Sequence, residues 1–282
     1  MTKAWKVEPT ESLRVSKGFT LADVDTGATP GFTGGKKYGE QVLETGAEQL
    51  SELQERLFAD SRAGGTKSVL LVLQAMDTAG KGGIVRHVVG AVDPQGIHHH
   101  AFKRPTEEEL AHDFLWRIRK EAPGPGMIGV FDRSHYEDVL VGRVRSLAPL
   151  EEIEERYGQI VAFEEELAAT GTTLVKVMLH TSAAEQKARL AERLDRPDKY
   201  WKYNPGDIDE RGLWADYQDA YQIALTRTST ETAPWFVVPA DRKWYARAAV
   251  QRLLLNALKG LRLDWPAAEF DVKAEKARLA AS

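Results

Sequence analysis

The chain has 282 residues, of which 43% are hydrophobic and 28% are charged, and it contains no cysteine. The lack of cysteine excludes disulfides, thiolate metal sites and cysteine nucleophiles, and a net charge of −4 argues against a strongly basic nucleic-acid-binding protein. No apolar run approaches the roughly 20 residues of a membrane-spanning helix, and no apolar segment follows the N-terminus as in a signal peptide. We therefore expect a cytoplasmic protein with no membrane partner.

The first 67 residues are expected to form an arm and one long helix that packs on the core. Residues 1–38 are rich in glycine and proline, which is typical of an extended, irregular segment. Between residues 38 and 61, apolar side chains recur at helical spacing. At the other end, residues 263–282 are charged and mixed, and they are expected to be a C-terminal tail.

Residues 68–262 alternate short apolar runs with helical stretches, and we expect them to form the core. The runs predict strands at 68–73, 99–102, 127–131, 172–179 and 235–238. The helical stretches lie at 81–92, 107–120, 150–169, 182–194 and 242–261. Strands that alternate with helices of these lengths predict βαβ units, and therefore an α/β protein with a five-stranded parallel sheet.

The segment from Gln74 to Gly83 follows the first predicted strand and opens a helix, which is the context of a phosphate-binding loop. Backbone N–H groups at such a helix start hold phosphate oxygens, and Lys81 adds a positive charge. The match to G-x-x-x-x-G-K-[ST] is imperfect, because Ala75 replaces the first glycine and Gly82 replaces the hydroxyl residue that normally binds Mg²⁺. A flexible glycine turn is the alternative, and the strand before it and helix after it argue against that interpretation.

Two acidic residues are candidates to bind the metal in place of that hydroxyl. Asp77 lies inside the loop, where a carboxylate repels phosphate unless a cation lies between them. Asp132 directly follows the predicted strand 127–131, as the second metal-binding acid of P-loop enzymes does. We expect the two to share Mg²⁺ and the adjacent Arg133 to bind phosphate oxygens. Capping of the following helix is the alternative role for Asp132.

A mobile lid is expected at about residues 195–212, where P-loop kinases place a segment that closes over the phosphates. Its candidate phosphate-binding residues are Arg193, Arg196, Lys199, Lys202 and Arg211. Acids nearly balance these bases, so a solvated charged surface is the alternative. Three aromatic residues between positions 200 and 203 argue against a segment that meets only water.

Other polar residues near the ends of predicted strands indicate a binding site less clearly. The three histidines at 98–100 could suggest a metal site, but alternate residues of a strand face opposite sides, so all three cannot reach one ion. Lys103 and Arg104 follow the second predicted strand at the edge of the sheet where ligands bind in open α/β folds. We interpret His135 and Tyr136 as packing or base-contacting residues.

Taken together, these motifs resemble the polyphosphate kinase 2 family. The similar segments are 77–83, 102–103, 105, 107–117, 132–140 and 200–203, and the resemblance covers roughly residues 36–262. It implies a P-loop kinase-like three-layer fold similar to thymidylate kinases, with the helical lid and the N-terminal arm added to the core. It also implies Mg²⁺-dependent transfer of phosphate between inorganic polyphosphate and a nucleotide, by a homo-oligomer that is a tetramer or a dimer.

The candidate site residues follow from the motifs and the resemblance. Asp77, Lys81, Asp132 and Arg133 are the catalytic candidates, and the two aspartates are the metal ligands. Residues expected to bind phosphate or nucleotide are Thr78, Ala79, Gly80, Gly82, Gly83, Lys103, Arg104, Glu137 and Asp138. The lid bases are expected to act on the polyphosphate chain, so the acids Asp195, Asp198 and Asp207 must point away from it.

The acceptor and two alternative functions stay open at this stage. Residues 134–140 resemble most the branch that accepts AMP and ADP, although Asp132 stands where that branch often has asparagine. Adenine nucleotides are the expected acceptors, guanine nucleotides are a further candidate, and a nearly balanced exchange should run both ways. One alternative is an ATP-dependent nucleotide kinase of the same fold, against which Gly82 argues. The other is a non-catalytic P-loop binding module.

Overall fold

The computed structural model describes residues 4–282. Its five strands are β1 (Ser68–Ala75), β2 (Ile97–Ala101), β3 (Ile128–Asp132), β4 (Thr172–His180) and β5 (Trp235–Pro239). They form one sheet in the order β2-β3-β1-β4-β5, and every neighbouring pair is parallel. The predicted five-stranded parallel sheet is confirmed, and each strand lies within two residues of its expected ends.

The helices connect the strands and flank the sheet. The α-helices are α1 (Pro9–Ser12), α2 (Lys36–Arg62), α3 (Lys81–His87), α4 (Glu107–Leu110), α5 (Trp116–Lys120), α6 (Val141–Val144), α7 (Leu150–Ala169), α8 (Ala183–Asp195), α9 (Gly206–Arg211), α10 (Trp214–Thr228), α11 (Lys243–Gly260) and α12 (Val272–Ala280). Short 3₁₀ helices lie at Leu21–Asp23, Val89–Ala91, Pro94–Gly96, His135–Asp138 and Pro197–Lys202.

The central strand β1 shows why the protein has three layers. All of its residues are buried, and successive side chains point to opposite faces of the sheet. Leu71 and Leu73 belong to the apolar core beneath α2, α3 and α11. Leu70 and Val72 belong to the second core, beneath α5, α7 and α10. Each fully buried leucine or valine contributes about 1.5–3 kcal/mol, so the sheet is held from both sides.

One predicted helix is divided in two, and the helices α1, α6, α10 and α12 were not predicted. The stretch 107–120 is two helices, α4 and α5, because the Asp113 carboxylate accepts a hydrogen bond from the Leu115 N–H and forms a turn between them. Helix α10 has a buried face that includes Tyr217, Ala220 and Ala224. These residues recur at helical spacing, but small and polar side chains make the periodicity weak.

The N-terminal arm covers one edge of the sheet. Val15 donates its N–H to the Trp235 carbonyl at 2.9 Å, and Val237 donates to the Leu13 carbonyl at 2.9 Å. The arm thereby pairs with the outer side of β5, where strand groups would otherwise face water. Glu8 anchors the arm through two hydrogen bonds of 2.7 Å from Arg252.

The opposite end of the chain is exposed. Every residue of α12 is solvent-exposed, including its apolar residues Val272 and Leu279. Among residues 4–282, no helix combines the length and apolar character needed to cross a membrane.

Candidate active site

The phosphate loop and the end of β3 meet because β1 and β3 are parallel neighbours. Leu73 of β1 is in register with Asp132, the last residue of β3. Residues 76–80 then form a loop, and α3 begins at Lys81. Gly80 has φ of 120°, a conformation that glycine adopts without strain. Thr78 has φ of 64°, which is strained for a β-branched residue and is typical of functional loops.

A cleft of about 610 Å³ opens at this carboxyl edge of the sheet. Eleven lysine and arginine residues and three acidic residues line it. The basic residues are Lys81, Arg86, Lys103, Arg133, Arg189, Arg193, Arg196, Lys199, Lys202, Lys243 and Arg247. The whole chain carries a net charge of −4, so positive charge is concentrated in this cleft relative to the rest of the protein. Such a cleft attracts anionic ligands.

Arg133 connects the two motifs at the base of the cleft. Its Nη2 lies 3.0 Å from Oδ1 of Asp77, and its backbone N–H donates to the Leu73 carbonyl at 3.0 Å. Burial lowers the pKa of Arg133, but the carboxylates of Glu137, Asp77 and Asp132 outweigh that effect and raise it. The arginine is therefore held in its charged form beside the two candidate metal ligands.

The carboxylates present fit a magnesium ion that is shared with a substrate. Asp77 and Asp132 line the same cleft. Within residues 4–282, no group of three or more histidine and acidic side chains could hold a metal by itself. Mg²⁺ prefers oxygen ligands and is often held by one or two carboxylates together with substrate phosphates and water. These two aspartates are suited to that arrangement.

The remaining loop candidates lie together with Lys81 and line the cleft. They are Thr78, Ala79, Gly80, Gly82 and Gly83, and Lys103, which follows β2, lines the same cleft. The Lys81 ammonium donates to the Ala75 carbonyl at 3.3 Å, so it bends back over the loop. In contrast, Arg104 is not among the described residues that line the cleft.

Glu137 and Asp138 lie beside the cleft, outside the set of residues that line it. Burial raises the pKa of Glu137, and Arg133 and Lys81 oppose that shift. Asp138 faces another direction, where its carboxylate lies 3.4 Å from Arg156. Burial raises the pKa of Asp138 to about 6, in spite of nearby arginines.

The lid contains ion pairs of its own. Arg193, Arg196, Lys199 and Lys202 line the cleft. The acids Asp195, Asp198 and Asp207 are not among the described residues that line the cleft, but two of them pair with lid bases. Asp198 lies 2.9 Å from Arg196 and 3.3 Å from Lys199, and Asp207 lies 3.4 Å from Arg193. The turn of residues 197–202 brings neighbouring side chains together, so part of the lid charge is neutralised locally.

Arg211 is separated from the other lid bases. It donates to the Ala183 carbonyl at 3.0 Å and to Oε1 of Gln186 at 2.6 Å, and it is not one of the described cleft-lining residues. The lid aromatic residue Trp201 is 78% exposed, and Lys202 lies 4.8 Å from the centre of its ring.

The other polar residues singled out in the sequence have structural partners. His98 and His100 contact the same oxygen of Glu121, at 2.8 and 3.0 Å, as alternation along a strand requires. His135 and Tyr136 are fully buried and contact Glu164. Their packing role is consistent with the sequence interpretation.

The sequence analysis missed three basic residues that line the cleft from α3 and α11. Arg86 lies near the end of α3, and Lys243 and Arg247 lie in the first turns of α11. Burial lowers the pKa of Arg247, and repulsion from Arg86 adds to that effect although Glu40 opposes it. Because α3 and α11 are far apart in sequence and meet only in the folded protein, no local sequence motif marks these three residues as part of the cleft.

A parallel sheet of this order, with a phosphate-type loop after its central strand and an acid at the end of the adjacent strand, has the fold of P-loop kinases. Comparison with known families identifies the particular one. Residues 35–264 match the family described as Polyphosphate kinase 2 (PPK2). The chain belongs to the polyphosphate kinase 2 family and is a phosphotransferase that acts between polyphosphate and a nucleotide.

Individual relatives support the same conclusion. A crystal structure described as polyphosphate kinase 2 from Arthrobacter aurescens TC1 superposes with a TM-score of 0.97, at 59% identity, over 99% of this chain and 98% of that one. The AMP/ADP-polyphosphate phosphotransferase of Meiothermus ruber is 45% identical, over 89% of this chain and 92% of its own. The ADP-polyphosphate phosphotransferase of Rhodopseudomonas palustris is 40% identical, over 91% of this chain and 92% of its own.

Proposed function

We propose that the chain transfers phosphoryl groups between inorganic polyphosphate and AMP or ADP, with Mg²⁺ bound between Asp77, Asp132 and the substrate phosphates. The observation that carries the proposal is the cleft itself. Eleven basic residues surround two aspartates at its base, in a chain whose net charge is negative. This charge pattern suits a site that holds two polyanionic substrates and a divalent cation at once.

Each group at the base of the cleft has a role in charge neutralisation. Phosphoryl transfer between phosphates needs no general base, because the acceptor oxygen is already an anion. Lys81 and Arg133 supply positive charge to the transferring group, and the loop N–H groups hold its oxygens. A bound Mg²⁺ would neutralise further phosphate charge there. The protein's main contribution is therefore to place two phosphates in line and to stabilise the developing charge.

Polyphosphate is proposed to lie along the basic residues of the lid, α3 and α11. The lid supplies Lys199 and Lys202, α3 supplies Arg86, and α11 supplies Lys243 and Arg247. Single exposed contacts contribute only about 0.2–1 kcal/mol each. A chain with one charge per phosphate meets many of them together, so binding should depend on chain length and on salt.

The acceptor assignment is supported by the relatives. The Meiothermus ruber protein has a name that includes both AMP and ADP, and the Rhodopseudomonas palustris protein has a name that includes ADP. We propose adenine nucleotides as acceptors, with guanine nucleotides as further candidates. The exchange of one phosphoanhydride for another is nearly balanced, so the reaction should run both ways. A cytoplasmic homo-oligomer, a tetramer or a dimer, completes the proposal.

The decisive experiment supplies AMP or ADP with Mg²⁺ and long-chain polyphosphate, with no ATP, and resolves the products by chromatography. We expect ADP from AMP and ATP from ADP, and loss of both in Lys81→Met. If ADP is a substrate but AMP is not, the acceptor range is narrower than proposed. If neither reacts, while AMP is phosphorylated when ATP is the donor, the protein is an ATP-dependent nucleotide kinase.

A further inference from the structure

Two residues of α8 hold the backbone of the phosphate loop. Gln186 and Arg189 lie three positions apart, on one face of the helix, and both are buried. Gln186 donates from Nε2 to the Asp77 carbonyl at 3.0 Å. Arg189 donates from Nη1 to the carbonyls of Thr78 and Ala79, at 3.0 and 2.8 Å. Three consecutive carbonyl groups of the loop are therefore fixed by one helix.

Arg189 has no N–H group left over for a phosphate. Its Nη2 donates to the carbonyls of Ala240 and Asp241, at 2.6 and 3.1 Å. Its Nε donates to Glu185 at 2.8 Å. With the two bonds to the loop, all five guanidinium donors are engaged by the protein. Although Arg189 lines the cleft, its contacts are those of a structural clamp between the loop and the end of β5.

The clamp determines where the loop N–H groups point. In a planar trans peptide, the C=O of one residue and the N–H of the next point in opposite directions. Fixing the carbonyls of Asp77 and Ala79 toward α8 therefore turns the N–H groups of Thr78 and Gly80 away from it. Arg189 also donates to the carbonyl of Thr78. The backbone of Thr78, with φ of 64°, is strained and is retained only where surrounding contacts stabilise it.

The same helix connects the loop to the lid. Arg211, the last residue of α9, donates to Oε1 of Gln186 at 2.6 Å, while Nε2 of Gln186 donates to the Asp77 carbonyl. A single amide side chain thus joins the end of the lid segment to the residue that carries a candidate metal ligand. A displacement of Arg211 removes one of the contacts that hold the Gln186 amide in place.

We propose that Gln186 and Arg189 are positioning residues that set the phosphate-loop backbone, and that Arg211 couples the lid to it through Gln186. The inference rests on the proposed function of the loop in phosphate binding. The clamp and a direct phosphate contact predict different results for Arg189→Lys. Loss of a phosphate contact should raise the KM for polyphosphate, whereas loss of the five-donor clamp should alter the loop backbone, because lysine lacks the planar fork.

Arg189→Lys and Gln186→Met test the clamp, and Arg145→Met is the matched control. Arg145 contacts Glu210 of α9 at 2.6 Å but lies outside the cleft. Hydrogen bonds to charged groups of this kind correspond to roughly tenfold or more in an equilibrium or a rate. We expect kcat to fall about tenfold in each test variant, with the KM for polyphosphate and its salt dependence little changed. Hydrogen exchange at the loop amides of Ala79 and Gly83, which donate to the Met76 and Gly80 carbonyls at 3.3 and 2.8 Å, should become faster, and the β4 amides should be unaffected.

Several outcomes separate this inference from the proposed function. Wild-type exchange at the loop amides in both test variants, with unchanged kcat, overturns the clamp. A rise in the polyphosphate KM for Arg189→Lys, with protected loop amides, shows direct phosphate binding and also overturns it. Effects of Gln186→Met and Arg211→Met that simply add in the double variant overturn the coupling to the lid. If Lys81→Met keeps activity, the loop's phosphate role fails, yet the exchange measurement still decides on the clamp.

Discussion

The guanidinium of Arg133 lies 3.0 Å from the carboxylate of Asp77, so the residue after β3 is joined to the loop after β1. Arg133 adopts φ of 65°, a left-handed conformation that is uncommon for arginine and occurs in the same region as the strained Thr78. The pair keeps Asp77 beside a positive charge next to Asp132. Two acids and an arginine are thus gathered where phosphate charge has to be neutralised.

Asp77→Asn should lower kcat by about 10²–10³ with a smaller effect on nucleotide affinity, because electrostatic stabilisers matter most where charge develops during transfer. Asparagine keeps the shape of the side chain but removes the negative charge. Steady-state kinetics at several Mg²⁺ concentrations measure the effect. Asp219→Asn, an exposed residue of α10, is the control and should behave as wild type. Near wild-type activity with unchanged Mg²⁺ dependence in Asp77→Asn would exclude the metal role.

Lys199→Glu with Lys202→Glu should raise the KM for long polyphosphate steeply and that for very short chains less. Both lysines line the cleft, and long chains meet the lid at several points. The nucleotide KM should change little, and the salt dependence of polyphosphate binding should flatten as fewer counterions are released. Lys273→Glu with Lys276→Glu makes the same charge change on the exposed α12 and serves as the control. An equal loss for both substrates would instead indicate a general role of these lysines in lid closure.

Lys176→Met should destabilise the fold by about 3–5 kcal/mol, because it leaves a buried carboxylate without its counter-ion. The Lys176 ammonium lies 2.6 Å from Glu164 and 2.7 Å from the Thr228 carbonyl, and both charged side chains are buried. Urea unfolding gives the free energy. Adding Glu164→Gln to Lys176→Met should recover part of the loss. A single-variant loss below about 1 kcal/mol would show that the pair is not held as a charged couple.

Asp138→Asn should remove a pH-dependent penalty on stability. Burial raises the pKa of Asp138 from 3.8 to about 6, so between these values the folded protein retains a proton that the unfolded chain has released. The contribution of Asp138 to stability therefore falls as pH rises through this window. The difference in unfolding free energy, variant minus wild type, should grow by up to about 3 kcal/mol between pH 4 and pH 7 and then level off. A difference that stays flat across this range would contradict the raised pKa.

The local motifs were predictable because they depend on residues that are close in sequence. An apolar run followed by glycines and a lysine forms strand, loop and helix by short-range effects, and Asp132 at the end of β3 had to lie at the carboxyl edge of a parallel sheet. The break between α4 and α5 was missed, because one carboxylate of Asp113 forms a turn inside an otherwise helical stretch. Helix α10 was missed since alanine and tyrosine produce little apolar periodicity.

The sequence by itself determined the parallel sheet, the succession of strands and helices along the chain, and the phosphate-loop and acid motifs, since each is encoded by a periodicity or by residues a few positions apart. Only the tertiary structure decided which bases face which groups. Arg189 lies 111 positions from Thr78 but binds its carbonyl, whereas Arg86 and Arg247 share one wall of the cleft from different helices. The orientation of a long side chain depends on every element packed around it, and no local pattern records those contacts.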